Sequence, residues 1–314
     1  EHDPQRLPVI EGNALMLSPE KVRRYSPDSL TIMEFKSQQD ADVTDKIYGK
    51  RPLLGDRLDD AWNVELSQEF NMSSDSHLFN VAGQGCPLYE GKLIWSYDHQ
   101  FSPVSYWIEE AIVRRDELRS RWRLLKKKKR EPAVYDFELY RGVFRRIAAS
   151  TNERSFLSTI IPKKAVCPDT NLVIRRMAPD HDGNPIENIG SRETAFLVSV
   201  INSFISDFII RFKITTHLDM HFVYTMPIPR IKETNAFFLP IVARCARLLC
   251  VDEYYSDLWK ELYKEDFGRP DFWYPTAAVQ IDSYGPQHEQ EIRRRLAEES
   301  VNLTPEWTPA SGVH

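Results

Sequence analysis

Cysteine is scarce: four residues, Cys86, Cys167, Cys245 and Cys250, among 314, with no C-x-x-C pair. Four thiols are too few to staple a chain of this length, so reduced cysteines in a cytoplasmic protein are expected and thiolate-metal chemistry is not. No run of 18 apolar residues occurs, and the opening "EHDPQRLPVIEGN" has neither the basic start nor the apolar centre of a secretory leader. Neither a membrane span nor targeting is expected. The chain also lacks an initiating methionine and begins in polar, proline-containing sequence, as a fragment of a longer protein would. Phosphate-loop, G-x-S-x-G and H-E-x-x-H patterns are absent, which leaves hydrolase and nucleotide-dependent readings without a motif. The one G-x-G, Gly83-Gln84-Gly85, runs into Cys86-Pro87 and not into a helix, so it predicts a turn.

What is present is enough for a real core: 42% of the residues are apolar and 11% of the residues are aromatic. Net charge is −5, but it is polarised. Residues 111–154 carry 14 Lys/Arg against six Asp/Glu, a local excess of eight, which leaves −13 on the remainder. Both ends are acidic, as expected if one central face meets a polyanion.

Residues 1–75 pattern as a connector, with "SPDSLTIMEF" entering a strand and "DADVTDKIYG" forming a short helix that stops at Gly49. The segment "PLYEGKLIWSYDHQF" alternates like a strand. From Trp107 through Ala111, Leu118, Trp122 and Leu125 the apolar spacing predicts one helical stripe opposite a face of Arg and Lys. "YDFELYRGVFRRIA" and "FLSTIIP" predict strands. Ser191 is placed to cap a long helix, "TAFLVSVINSFISDFIIRF", apolar almost all round and therefore central to the core. "HLDMHFVYTMPIP" predicts a strand, Pro240 opens a helix to about Val251, and helices near 254–264 and 287–300 complete a helical end. The expected class is α+β: a mixed module with a central buried helix and a helical C-terminal part, divided as 1–75, 76–232 and 233–314.

Three constellations carry possible chemistry. Asp75, Glu90 and Lys92 have the order of an acidic, Glu-x-Lys nuclease centre, in which carboxylates hold a metal that activates water. His217, Asp219 and His221 would share one strand face and supply two imidazoles and a carboxylate, against the blander reading of a structural cluster. The basic helix with Arg141, Arg145, Arg146 and Arg154 suits phosphate contact, or docking on an acidic protein as an interaction scaffold. Aromatics are not interleaved as in a single-strand binder, so duplex DNA is the expected polyanion.

Six segments occur in order between Ser26 and Pro229, "SPDSLTIMEF", "DVTDKIY", "DSHLF", "LYEGKLIWSYDHQF", "FRRIAASTNERSFLSTIIP" and "LVSVINSFISDFIIRFKITTHLDMHFVYTMPIP", within a resemblance that extends over roughly residues 25–300. As a set the chain resembles the C-terminal target-recognition region of large N6-adenine DNA methyltransferases, of the type IIG restriction-modification and BREX or DISARM phage-defence kind. The resemblance implies duplex DNA recognition without a catalytic centre of its own. The S-adenosylmethionine domain with its Asn-Pro-Pro-Tyr motif would precede residue 1; the only Asn-Pro here is Asn184-Pro185, followed by Ile186 and Glu187. It further implies Lys92, Arg141, Arg145, Arg146, Asn152 and Arg154 as DNA contacts, since Arg reads guanine and Asn adenine in the major groove. Glu90 would orient Lys92.

Overall fold

The computed structural model describes residues 17–269 and 303–312, together with Leu15, Phe272, Gln290, Glu291, Arg294 and Glu298. The element order is α1 (Pro19–Tyr25), α2 (Gln38–Tyr48), β1 (Leu66–Ser67), β2 (Phe79–Asn80), β3 (Cys86–Pro87), β4 (Trp107–Ile108), α3 (Glu110–Ser120), α4 (Arg123–Lys127), β5 (Arg141–Arg145), β6 (Ser158–Ile161), β7 (Asn171–Ile174), β8 (Met177–Pro179), β9 (Pro185–Glu187), α5 (Ser191–Ile201), α6 (Phe204–Arg211), α7 (Met220–Tyr224), α8 (Phe238–Leu249) and α9 (Ser256–Leu262). Helices and antiparallel sheets together make this an α+β protein. No described helix is long and apolar enough to cross a membrane.

The central sheet has the order β1-β7-β5-β6, antiparallel throughout. Strands β6 and β7 are buried at every position, so "FLSTIIP" shows no alternation of apolar and charged residues, and its Ser158 and Thr159 are buried with Ile160 and Ile161. Helix α5 lies on this sheet. Gly142 permits the approach, because a Cβ there would stand 2.8 Å from Ile174 Cδ1 and 3.1 Å from Thr194 Cγ2. On the far side of α5, α8 and α9 close a second apolar cluster around Phe196, Phe238 and Trp259.

Residues 17–75 pack into the fold: Leu66 pairs with Ile174 in the sheet, and Tyr48 donates its hydroxyl to the Thr225 carbonyl at 2.9 Å. Several expected elements are corrected. Residues 30–36 form no strand; Met33 and Phe35 enter the main core instead. The "PLYEGKLIWSYDHQF" segment is strand only at Cys86–Pro87, then a 3-10 turn at Gly91–Leu93 and a tight Trp95–Asp98 reversal. The expected apolar stripe is broken at Trp122, which with Leu125 is buried, while Trp107 belongs to β4 and Ala111 is exposed. In "HLDMHFVYTMPIP" Met220–Tyr224 form the short helix α7 behind Asp219 at its N-cap, and not a strand. The helix expected near 287–300 lies largely outside the described residues.

The long apolar helix is two helices bent by 61°. Asn202 ends the first: its amide donates to the Ser158 carbonyl (2.8 Å) and its side-chain oxygen accepts from the Ser158 N–H (3.0 Å), serving as a surrogate strand neighbour at the β6 edge. Ser203 starts the second by accepting from the Ser206 N–H at 3.2 Å. Ser191 is not the cap of α5; Gly190 holds that position, and the Ser191 hydroxyl bonds Glu261.

Candidate nucleic-acid interface

Strand β5 organises the polar chemistry, and its arginines do different things at its two ends. At the N-terminal end Arg141 is wholly buried. It donates to the Glu69 carboxylate, to Asp136 Oδ2 (3.3 Å) and to the Ala165 carbonyl (2.6 Å). Asp136 also accepts the Arg176 and Met177 N–H groups at 2.8 Å. Burial alone would raise the Asp136 carboxyl, but the guanidiniums of Arg141, Arg121 and Arg175 outweigh it and hold it below the usual range. Arg141 is thus a core ion-pair hub, and the expectation of a DNA contact there is corrected: no atom of it reaches solvent.

At the C-terminal end Arg145 is half-buried, with Nε on the Gly91 carbonyl (2.7 Å) and a terminal nitrogen on that of Ile94 (2.8 Å). Its guanidinium also lies 5.5 Å from the centre of the Trp95 ring, and burial lowers its pKa. Arg146 pairs with Asp219 Oδ1 at 2.9 Å. Arg154 reaches the Asn202 carbonyl (2.5 Å), stands 3.7 Å from Asp207 Oδ1 and lies 4.9 Å over the Phe204 ring. It braces its turn through these groups and not through Glu153, whose carbonyl is held by Arg211.

These three arginines bind the segments of the resemblance to one another. Arg145 holds "LYEGKLIW" to β5, Arg146 holds α7, and Arg154 holds the bend between α5 and α6. What the resulting surface presents outward is a smaller set. Lys92 is 57% exposed and pairs with Glu90 at 3.0 Å; Asn152 and His217 are exposed. Trp95 and Phe101 stack at 5.1 Å with their planes 22° apart, and Phe101 is 55% exposed. Sequence reading missed this aromatic pair because Trp95 and Phe101 meet only through the Trp95–Asp98 reversal and the Phe101 N–H bond to the Leu93 carbonyl (3.0 Å).

The remaining basic residues lie elsewhere. Arg123 and the Lys126–Arg130 run are exposed on and after α4, anchored where Lys128 Nζ donates to the Asp182 carbonyl at 3.1 Å. Asp182 tips the β8–β9 hairpin, which leaves the opposite end of the sheet from Arg145. The charge block of residues 111–154 is therefore divided in the fold, and part of it is neutralised: Arg114 bonds Glu110 and Glu138, and Arg121 sits 3.7 Å from Asp136.

The two metal readings find no assembled site. Asp75 accepts the Asn71 N–H at 2.7 Å within its own turn, whereas Glu90 serves Lys92. Asp219 pairs with Arg146, and among the described residues no group of three or more His, Cys, Asp or Glu could hold a metal ion. His99, in the Asp98-His99 step, is buried between the Tyr89 hydroxyl (3.0 Å) and Asp252 (3.3 Å). Burial lowers its pKa against the pull of Asp252. All four cysteines are buried free thiols; burial raises Cys86 to about 11 and Cys245 to about 12, so neither is a nucleophile at neutral pH.

Compared with known proteins, the chain matches no protein-family model and no curated sequence.

Proposed function

We propose that this chain is the target-recognition region of an N6-adenine DNA methyltransferase of a restriction or phage-defence system, acting in the cytoplasm on duplex DNA. Methyl transfer and S-adenosylmethionine binding belong to a separate amino-terminal domain. The observation that supports this reading is the convergence at the end of β5. Three segments far apart in sequence are tied together by Arg145, Arg146 and Arg154, and these segments carry the exposed Lys92 and Asn152 and the Trp95–Phe101 pair with its exposed Phe101 ring. A cation and an amide are the groups that touch phosphate and base edges in duplex DNA. The arginines act as the frame beneath that surface. The lysine run on the other side of the sheet adds sequence-independent phosphate contact.

Fluorescence anisotropy with duplex DNA over a salt series tests this. Affinity should fall with salt at a slope of about −0.9 per phosphate neutralised. Lys126, Lys127, Lys128 and Lys129 changed together to Glu should lower the slope equally for every DNA sequence. Lys92→Ala should weaken binding, by the same factor on all sequences if Lys92 meets phosphate only. The absence of salt-dependent duplex binding would refute the proposal.

A further inference from the structure

Lys92 is not a free cation. The Glu90 side chain is only 12% exposed, and its Oε2 stands 3.0 Å from the Lys92 ammonium. That oxygen is buried and accepts no hydrogen bond, so the ammonium is what compensates it. The backbone that carries the pair is clamped on both sides. Gly91 donates its N–H to the Thr170 hydroxyl (2.9 Å), Arg145 holds the Gly91 and Ile94 carbonyls, and Leu93 donates to the Glu90 carbonyl at 3.0 Å. A Cβ at Gly91 would stand 3.0 Å from the Thr170 carbonyl oxygen, so the chain passes too close there for any larger residue.

This arrangement decides what Lys92 can take from DNA. Moving the ammonium to a phosphate would strand a nearly buried carboxylate beside another negative charge, at a cost in both desolvation and repulsion. An ammonium has further N–H donors, and it can keep Glu90 while donating to a neutral acceptor. Guanine presents such acceptors, O6 and N7, on its major-groove edge, and its cytosine partner presents the N4 amino donor beside them. A carboxylate next to an ammonium is the complement of that edge. An A·T pair sets its amino donor between the N7 and O4 acceptors, so an ammonium beside the carboxylate reaches only one of them.

We infer that Glu90 and Lys92 together read one C·G base pair in the major groove, Glu90 accepting from the cytosine amino group and Lys92 donating to guanine O6 and N7. This rests on the duplex-recognition reading proposed above and narrows it: Lys92 reads a base, and Glu90 is the acid that withholds it from phosphate.

Selection of the full chain on a randomised duplex library, followed by fluorescence anisotropy on the selected duplex, tests this. The parent should select a C·G pair whose preference over T·A falls by at least about fivefold in Glu90→Gln, with the other positions unchanged. Because Lys92 is then released, Glu90→Gln should also bind unrelated duplexes more tightly, with a salt slope steeper by about 0.9. Lys92→Ala should relax the same pair. Replacing its guanine by 7-deazaguanine, which lacks the N7 acceptor, should weaken the parent and leave Lys92→Ala unaffected; this changes the DNA alone and reads the contact whatever the stability of the Glu90 variant. The inference is overturned if the parent binds duplex but selects no C·G pair, or if Glu90→Gln keeps the parent's preference at every position. It is equally overturned if Lys92→Ala weakens all duplexes alike and lowers the salt slope by about 0.9, which makes Lys92 a phosphate contact. In each of these cases duplex recognition stands. A parent without salt-dependent duplex binding removes that reading, and the inference with it.

Discussion

Replacing Arg141 by Met removes a charge from the core while keeping most of the side-chain length. Two carboxylates then lose their main partner. Asp136 is wholly buried and keeps the Arg176 and Met177 N–H groups, with Arg121 at 3.7 Å; Glu69 is nearly buried and keeps the Cys167 N–H at 2.8 Å. Breaking a buried pair from one side costs about 3–5 kcal/mol, since the remaining charge stays desolvated. With an m-value of about 3 kcal/mol/M, the urea midpoint should fall by roughly 1–2 M at pH 7. The sign of the pH dependence follows from the pair. In the parent the Asp136 carboxyl is held low, so the pair's contribution is complete above the ordinary carboxylate pKa and is lost as pH falls through the depressed value. The variant's deficit should therefore be largest near neutrality and shrink in acid, where the orphaned carboxylates take up protons. Urea titrations by circular dichroism at several pH values measure this, and duplex binding is followed on the same protein in the absence of urea. A variant that keeps its stability within about 1 kcal/mol yet binds DNA tenfold more weakly would refute the reasoning and make Arg141 a DNA contact.

Two further outcomes follow from buried polar groups. Lys213 donates to the Tyr25 carbonyl (2.6 Å) and the Thr225 hydroxyl (2.7 Å), and burial lowers its pKa to about 7. Its folded pKa lies below its unfolded one, so the penalty is complete below about pH 7 and is relieved as pH rises. Stability should climb between pH 7 and pH 9, and Lys213→Met should flatten that climb; an unchanged slope in thermal melts refutes the assignment. Asn202→Ala should cost about 1–3 kcal/mol by leaving the Ser158 N–H without its acceptor, the Ser158 carbonyl keeping the Tyr97 N–H at 3.1 Å, and should speed hydrogen exchange at the Ser158 amide; protection equal to the parent's would show that the β6 edge is held otherwise.

The parts of this fold that were legible in sequence are those where local chemistry and tertiary packing agree. Gly49 ends α2, "FLSTIIP" forms a buried strand stopped by Pro162, and Pro240 sits in the first turn of α8. Each is decided within a few residues, by a left-handed φ, an apolar run or a missing N–H. The long apolar helix shows where this stops. Its composition is helical throughout, and it breaks where the Asn202 side chain bonds the Ser158 backbone at the β6 edge, 44 residues earlier in the chain, and Ser203 caps a new start. The same limit governs the arginines. Arg141 and Arg145 lie four residues apart in one strand and look alike in sequence, yet one is buried on two carboxylates and the other binds carbonyls of the Gly91–Ile94 turn. Charge along a chain records how many cations exist. Which of them meet a carboxylate and which meet solvent depends on partners brought from Glu69, Asp136, Asp207 and Asp219, and that pairing exists only once the sheet has closed.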